Sequence, residues 1–140
     1  MFTNALAIIQ RIQADLAASI PTYLPGVTIY LDEPLDIIYT DLPVMVISPN
    51  KEEFIYDSES QNQDKKRLLV KILLFVKGGP SSSLCSPIMN YVVSALKADR
   101  TLGGLAMYVE FQGLEWLSGE DIDGRVSGAS LEVMIDYFVS

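Results

Sequence analysis

Two acidic segments carry the side chains best suited to chemistry in this chain. One is Glu120-Asp121-Ile122-Asp123-Gly124. Closely spaced carboxylates can ligate a hard cation such as calcium, or serve as the acid and base of a hydrolase. The calcium reading fails on spacing. With Gly124 at the sixth position of the calcium loop, Gly119 stands first and Ser130 twelfth, where Asp and Glu are required. A hydrolase resting on Asp121 and Asp123 needs an apolar pocket to raise one carboxyl pKa, and these residues stand in a polar turn. An acidic hairpin tip is the simpler expectation.

The other acidic segment is 32–64. It holds Asp32, Glu33, Asp36, Asp41, Glu52, Glu53, Asp57, Glu59 and Asp64 against Lys51 alone, so the net charge of −8 sits there and the remainder is neutral. Such a patch repels phosphates and offers no grip on nucleic acid. The alternative is an ordinary solvated face.

Other catalytic groups are scarce. The chain has no histidine, which removes Ser-His-Asp and Cys-His arrangements and His-containing zinc sites. Its one cysteine, Cys85, lies among Leu84, Ile88 and Met89 and reads as a small buried apolar residue. Gly78-Gly79 and Gly103-Gly104 are turn glycines outside any phosphate-cradling motif. We therefore expect no enzyme activity, no metal and no cofactor.

These residues must be positioned by a fold of one domain spanning 1–140. Thr3 or Asn4 can cap a first helix, in which Ala5, Ile8, Ile9, Ile12, Leu16 and Ile20 recur at helical spacing until Pro21 and the pair Pro25-Gly26 end it. Residues 27–31 predict a short strand and 32–40 an acidic loop or weak strand. Residues 44–48 predict a strand buried on both sides, with a bend or bulge at Pro49-Asn50 before 51–56. Residues 65–77 predict a long strand. A second helix starts either at Ser81–Ser83 or at Ser86 with Pro87 in its first turn, and buries Leu84, Ile88, Tyr91, Val92, Ala95 and Leu96. Residues 105–117 and 125–139 predict a hairpin. The order gives an α+β fold: a largely antiparallel or mixed sheet, two helices on one face, and a long projecting hairpin.

The first helix carries Arg11 and Asp15 within its apolar pattern and follows no basic leader, so no signal peptide is expected and the protein should be intracellular. The greasiest run, 68–76, is too short for a membrane span and contains Lys71.

Hydrophobic residues make up 49% of the chain, and the mean hydropathy is +0.26. That is high for a monomer. On the strand 65–77, Leu68, Val70, Ile72, Leu74 and Val76 line one side. Leu69, Leu73 and Phe75 line the other, interrupted by Arg67, Lys71 and Lys77. Two helices cover one side of a sheet, so the second apolar side calls for another subunit. Leu69, Lys71, Leu73 and Phe75, with Trp116, Met134 and Phe138, are candidate subunit-interface residues, and the chain is expected to oligomerise. Between the strands, 57–64 has no apolar side chain and reads as a polar finger.

The order of features resembles the tail terminator proteins of long-tailed bacteriophages, the lambdoid minor tail protein U type. The likeness covers nearly the whole chain. It rests on the N-terminal helix, LPVMVIS at 42–48, EEFIYDSES at 52–60, the second helix, and the strand, acidic turn and closing strand of 108–139. The resemblance implies a six-fold ring that docks on the last ring of the major tail tube protein and stops its growth. The ring would offer a surface to the head-connector (neck) protein and pass double-stranded DNA through its lumen. It implies a virion protein of the phage neck region, assembled in the host cytoplasm. On that reading Tyr56, Asp57, Ser58, Glu59, Gln61, Asn62 and Asp64 form one partner-facing loop, and Glu120, Asp121 and Asp123 form another. Acidic residues between Asp32 and Asp64 are candidates for the lumen. A head-completion adaptor is the related alternative, and a carboxylate-dependent hydrolase the distant one.

Overall fold

The computed structural model describes residues 4–31, 42–55, 64–78, 81–121 and 124–139. Helix α1 runs Ala5–Tyr23, and the Asn4 side chain accepts a hydrogen bond from the Ala7 N–H at 2.9 Å. That cap satisfies one of the donors every helix start leaves unpaired. Ile8, Ile9, Ile12, Leu16 and Ile20 are buried, as their spacing requires. The helix passes Pro21 by two residues and ends at Tyr23, before Pro25-Gly26. A proline so near the end removes one intrahelical hydrogen bond, and the Leu24 N–H still closes on the Ile20 carbonyl at 2.9 Å.

Strands β1 (Thr28–Leu31), β2 (Val44–Ile55) and β3 (Asp64–Lys77) follow. Helix α2 (Ser81–Ala98) takes the earlier of the two possible starts, so Pro87 lies inside it. Strands β4 (Tyr108–Asp121) and β5 (Gly124–Val139) form the expected hairpin. The sheet order is β1-β2-β3-β5-β4. Only β1 pairs in parallel, with β2; the other three pairings are antiparallel. The fold is α+β with a mixed sheet.

Alternate residues of the strands join the helices in one core. It contains Met45 and Ile47 of β2, Leu68, Val70, Ile72 and Leu74 of β3, and Leu131, Val133, Ile135 and Tyr137 of β5, with residues of both helices. We call this the inner side of the sheet. A second cluster unites Val44, Val46, Phe75 and Val126, with Tyr30, Leu42, Leu73 and Leu117 packed against it. Strand registry places it on the outer side, toward the end where β2 begins. This corrects one expectation. Phe75 is 7% exposed within a single chain, so it is a core residue and not a free interface position.

Two irregularities shape the sheet. A register shift at Pro49/Lys51 confirms the bulge expected at Pro49-Asn50. A second shift lies at Phe111/Gly113 in β4. An extra residue in a strand reverses which side the following side chains take. Tyr108 therefore pairs with Asp136 on the outer side, whereas Trp116 pairs with Ala129 on the inner side. Trp116 thus lies on the opposite side of the sheet from Leu69, Met134 and Phe138.

The Phe75 ring leans over its cross-strand partner Gly128. A Cβ at Gly128 would sit 2.9 Å from the Leu74 carbonyl oxygen and 3.0 Å from the Phe75 ring. Gly113 has nothing within 4 Å of the same position. Gly128→Ala is expected to lower unfolding free energy by about 1–3 kcal/mol through overpacking, and Gly113→Ala to change it by less than about 0.5 kcal/mol. Urea titration of both variants checks the pair.

Candidate interaction surface

Strand β3 is paired on both sides along nearly its whole length. It meets β2 from Lys65 to Phe75 and β5 from Asp64 to Lys77. At about 3.3 Å per residue its 14 residues span about 46 Å. The finger was expected to stand on a two-stranded ribbon. Its base is three-stranded instead, because Val139 of β5 still pairs with Asp64. Tyr56, Asp57, Ser58, Glu59, Gln61 and Asn62 lie outside the described residues, and Asp64 is the first residue of β3. Glu120 and Asp121 end β4 beyond the other end of β3, since Lys77 already pairs with Val126; Asp123 lies outside the described residues. The two candidate loops are thus carried at opposite ends of one long sheet.

Between these ends, the outer side is built as rows across β2, β3, β5 and β4. One row reads Lys51, Leu69, Met134, Glu110; the next toward the finger reads Glu53, Arg67, Asp136, Tyr108. On the other side of the first row stand Ser48, Lys71, Glu132 and Gly113. Lys65 faces Phe138 at the finger base. Leu69, Lys71, Met134 and Phe138 are all half-buried and share this surface. Leu73 shares the side but packs on the Phe75 cluster.

The strongest polar contact here is Arg67 to Asp136. The guanidinium donates from Nε to one carboxylate oxygen at 2.8 Å and from Nη2 to the other at 3.2 Å. Asp136 is 4% exposed, whereas the Arg67 side chain keeps 34% of its surface in solvent, so the carboxylate is the desolvated member of the pair. The bond to Asp136, set against burial, holds the Arg67 pKa above its usual value. A two-point bond of this kind fixes the lateral spacing of β3 and β5.

Of the acidic segment, Glu52 and Glu53 do not share a surface. Glu52 and Glu53 are neighbours in β2 and point to opposite sides of the sheet. Glu52 accepts a hydrogen bond from the Tyr137 hydroxyl on the inner side and lies 3.8 Å from the Lys66 ammonium. Glu53 stands on the outer side, 3.0 Å from Lys51. Asp32, Glu33, Asp36, Asp41, Asp57 and Glu59 lie outside the described residues. A lumen lined by both Glu52 and Glu53 is excluded by strand geometry.

Sequence reasoning missed a carboxyl pair that ties α1 to the turn after α2. Arg11 Nε donates to Asp99 at 2.8 Å and lies 3.6 Å from Asp15. Asp99 also accepts the Gly103 N–H at 2.9 Å, and Gly103 has φ +67°, which favours glycine. One Asp15 carboxyl oxygen is buried without a hydrogen-bond partner. Burial and the neighbouring Asp99 raise the Asp15 pKa to about 6, while bonds from Asp15 and Arg11 lower that of Asp99. Residues 88 positions apart gave no local signal.

Among the described residues no three His, Cys, Asp or Glu side chains are placed to hold a metal, and no helix is long and apolar enough to cross a membrane. Cys85 is buried, and burial raises its thiol pKa to about 11. Compared with models of known protein families and with curated proteins, the chain matches none.

Two outcomes test this electrostatic framework. The folded-state pKa of Asp15 lies above its ordinary value, so its contribution to stability is present below about pH 4 and is lost as pH rises to about 6. Asp15→Asn should therefore raise the melting temperature at pH 7.5 relative to wild type and have a smaller effect at pH 4.5; a pH series of thermal melts reads the crossover. Arg67→Ala leaves Asp136 buried and unpaired, and should cost about 2 kcal/mol in urea unfolding.

Proposed function

We propose that this chain is a non-enzymatic phage tail terminator. It forms a closed ring that caps the tail tube, stops its elongation and presents a docking surface to the head connector. The observation that carries this reading is the placement of two turn-bearing ends about 46 Å apart on one continuous sheet. A terminator must touch the tube on one side and the connector on the other. A rigid long strand, hydrogen-bonded along both edges, holds two such contacts at a fixed distance.

The half-buried row of Leu69 and Met134, flanked by Lys51 and Glu110, supports the subunit contact. An apolar pair with a cation at one end and an anion at the other is directional. A heterologous contact of that kind closes into a ring when its rotation divides a full turn. Phe138 extends the apolar surface toward the finger. The finger sequence 57–64 and the hairpin tip Glu120–Gly124 are the loops assigned to the two partners. Passage of DNA through the ring requires only a lumen that does not grip phosphate, which the acidic balance of the chain supplies.

The test adds purified protein to tail tubes assembled without their terminator. Tubes of one fixed length that then join heads are expected. Over-long tubes, unchanged by the protein, would rule the reading out. Leu69→Lys, which puts a charge into the proposed subunit contact, is expected to abolish capping while its melting curve stays cooperative.

A further inference from the structure

Strand β4 is an edge strand: among the described residues it pairs with β5 alone. Edges of this length are hazards, because their free backbone groups accept another strand. Proteins blunt them with lysine, proline, bulges or a covering element. β4 has neither lysine nor proline in its 14 residues. Before the bulge at Phe111/Gly113 the Arg100 guanidinium donates to the Val109 carbonyl at 3.2 Å, and the segment past the bulge is regular.

That regular segment is also sticky. Leu114 is 39% and Trp116 45% exposed, and registry puts both on the inner side of the sheet, two residues apart. The intervening Glu115 is exposed on the outer side. Beside it opens a half-open cleft of about 380 Å³, lined by Lys71, Gln112, Gly113, Glu115, Ser130 and Glu132. The missing side chain of Gly113 leaves this room, since nothing lies within 4 Å of where its Cβ would be.

Charge selects the occupant. The ionisable acids and bases of β4 are Glu110, Glu115, Glu120 and Asp121, with no lysine or arginine among them. A second copy of β4 would bring its own Glu110 and Glu115 to the same edge, and like charges opposed across a strand pair are destabilising. A basic extended segment has the opposite balance. Its alternate side chains would lie along Leu114 and Trp116 on one side and reach Glu115 and Glu132 on the other.

We propose that the β4 edge past the bulge is a docking site for an extended, lysine- or arginine-bearing segment of another protein, added as a sixth strand. Backbone hydrogen bonds supply the attachment and the alternating side chains supply selection. The proposal goes beyond the terminator reading and does not need ring formation.

Trp116 is the only tryptophan of the chain and reports occupancy of the site directly. The probe is a seven-residue peptide alternating lysine with valine and threonine, titrated into the full-length protein at low salt. The expected result is a blue shift of Trp116 emission. Affinity should fall at least about tenfold with Glu115→Lys, and to a similar extent with a peptide of equal charge whose central residue is proline. Glu115 is exposed, and circular dichroism of the variant should match wild type. No shift with the lysine peptide overturns the proposal. Equal binding of the proline peptide also overturns it, because charge attraction without strand addition would then suffice. A blue shift that appears with protein concentration alone would mean that a second copy occupies the edge, and would likewise overturn it.

Discussion

The structure depends on a mismatch of lengths. Helices α1 and α2 have 19 and 18 residues, which at about 1.5 Å per residue gives rods of about 28 Å. Strands β3 and β5 have 14 and 16 residues, which at about 3.3 Å per residue gives about 46 and 53 Å. No single helix can cover such a sheet from end to end. The uncovered part must be stabilised some other way, and the chain uses two devices. At the end where β2 begins, a second apolar cluster around Phe75 buries the outer side within the chain. Toward the finger, charges take over: Arg67 grips Asp136, Lys66 lies over the Phe54 ring at 4.8 Å, and Tyr137 bonds Glu52. The sheet is thus greasy at one end and pinned by polar contacts at the other.

Local physics was legible in the sequence. The cap at Asn4, the buried stripe of α1, the two-sided burial of 44–47 and the alternation of β3 all follow from residue type and spacing over a few positions. Pro49-Asn50 announced its bulge because proline cannot donate to a ladder. The β4 bulge was missed, although a glycine inside a strand-forming run is its usual mark. Gln112-Gly113 sits in such a run, and the extra residue shows itself through registry with β5. That single insertion moved Trp116 away from the face shared by Tyr108 and Met134. Burial of Phe75 was illegible for a related reason. It needs Val126, Val44 and Gly128 beside it, and these come from strands brought together by the sheet order.

The candidate site divides the same way. That the two polar turns mark the ends of long strands was readable from hydrophobic runs. Their placement at opposite ends of the sheet required the antiparallel pairing of β3 with β5. The acidic excess was readable as a count, but a count has no direction. Glu52 and Glu53 differ by one position and serve opposite sides, and the carboxyl pair of Asp15 and Asp99 joins the middle of α1 to the end of α2, which the sequence holds far apart. Charge patterning in a strand protein gains meaning only once the pleat is known.

What remains is whether the outer side, with its directional row of Lys51, Leu69, Met134 and Glu110, brings copies together. Native mass measurement of the purified chain across a range of concentrations tests this most directly. The account predicts one closed assembly of fixed subunit number that appears cooperatively, with no ladder of growing open chains. A particle that keeps the mass of a single 140-residue chain at the highest concentration reached would contradict it.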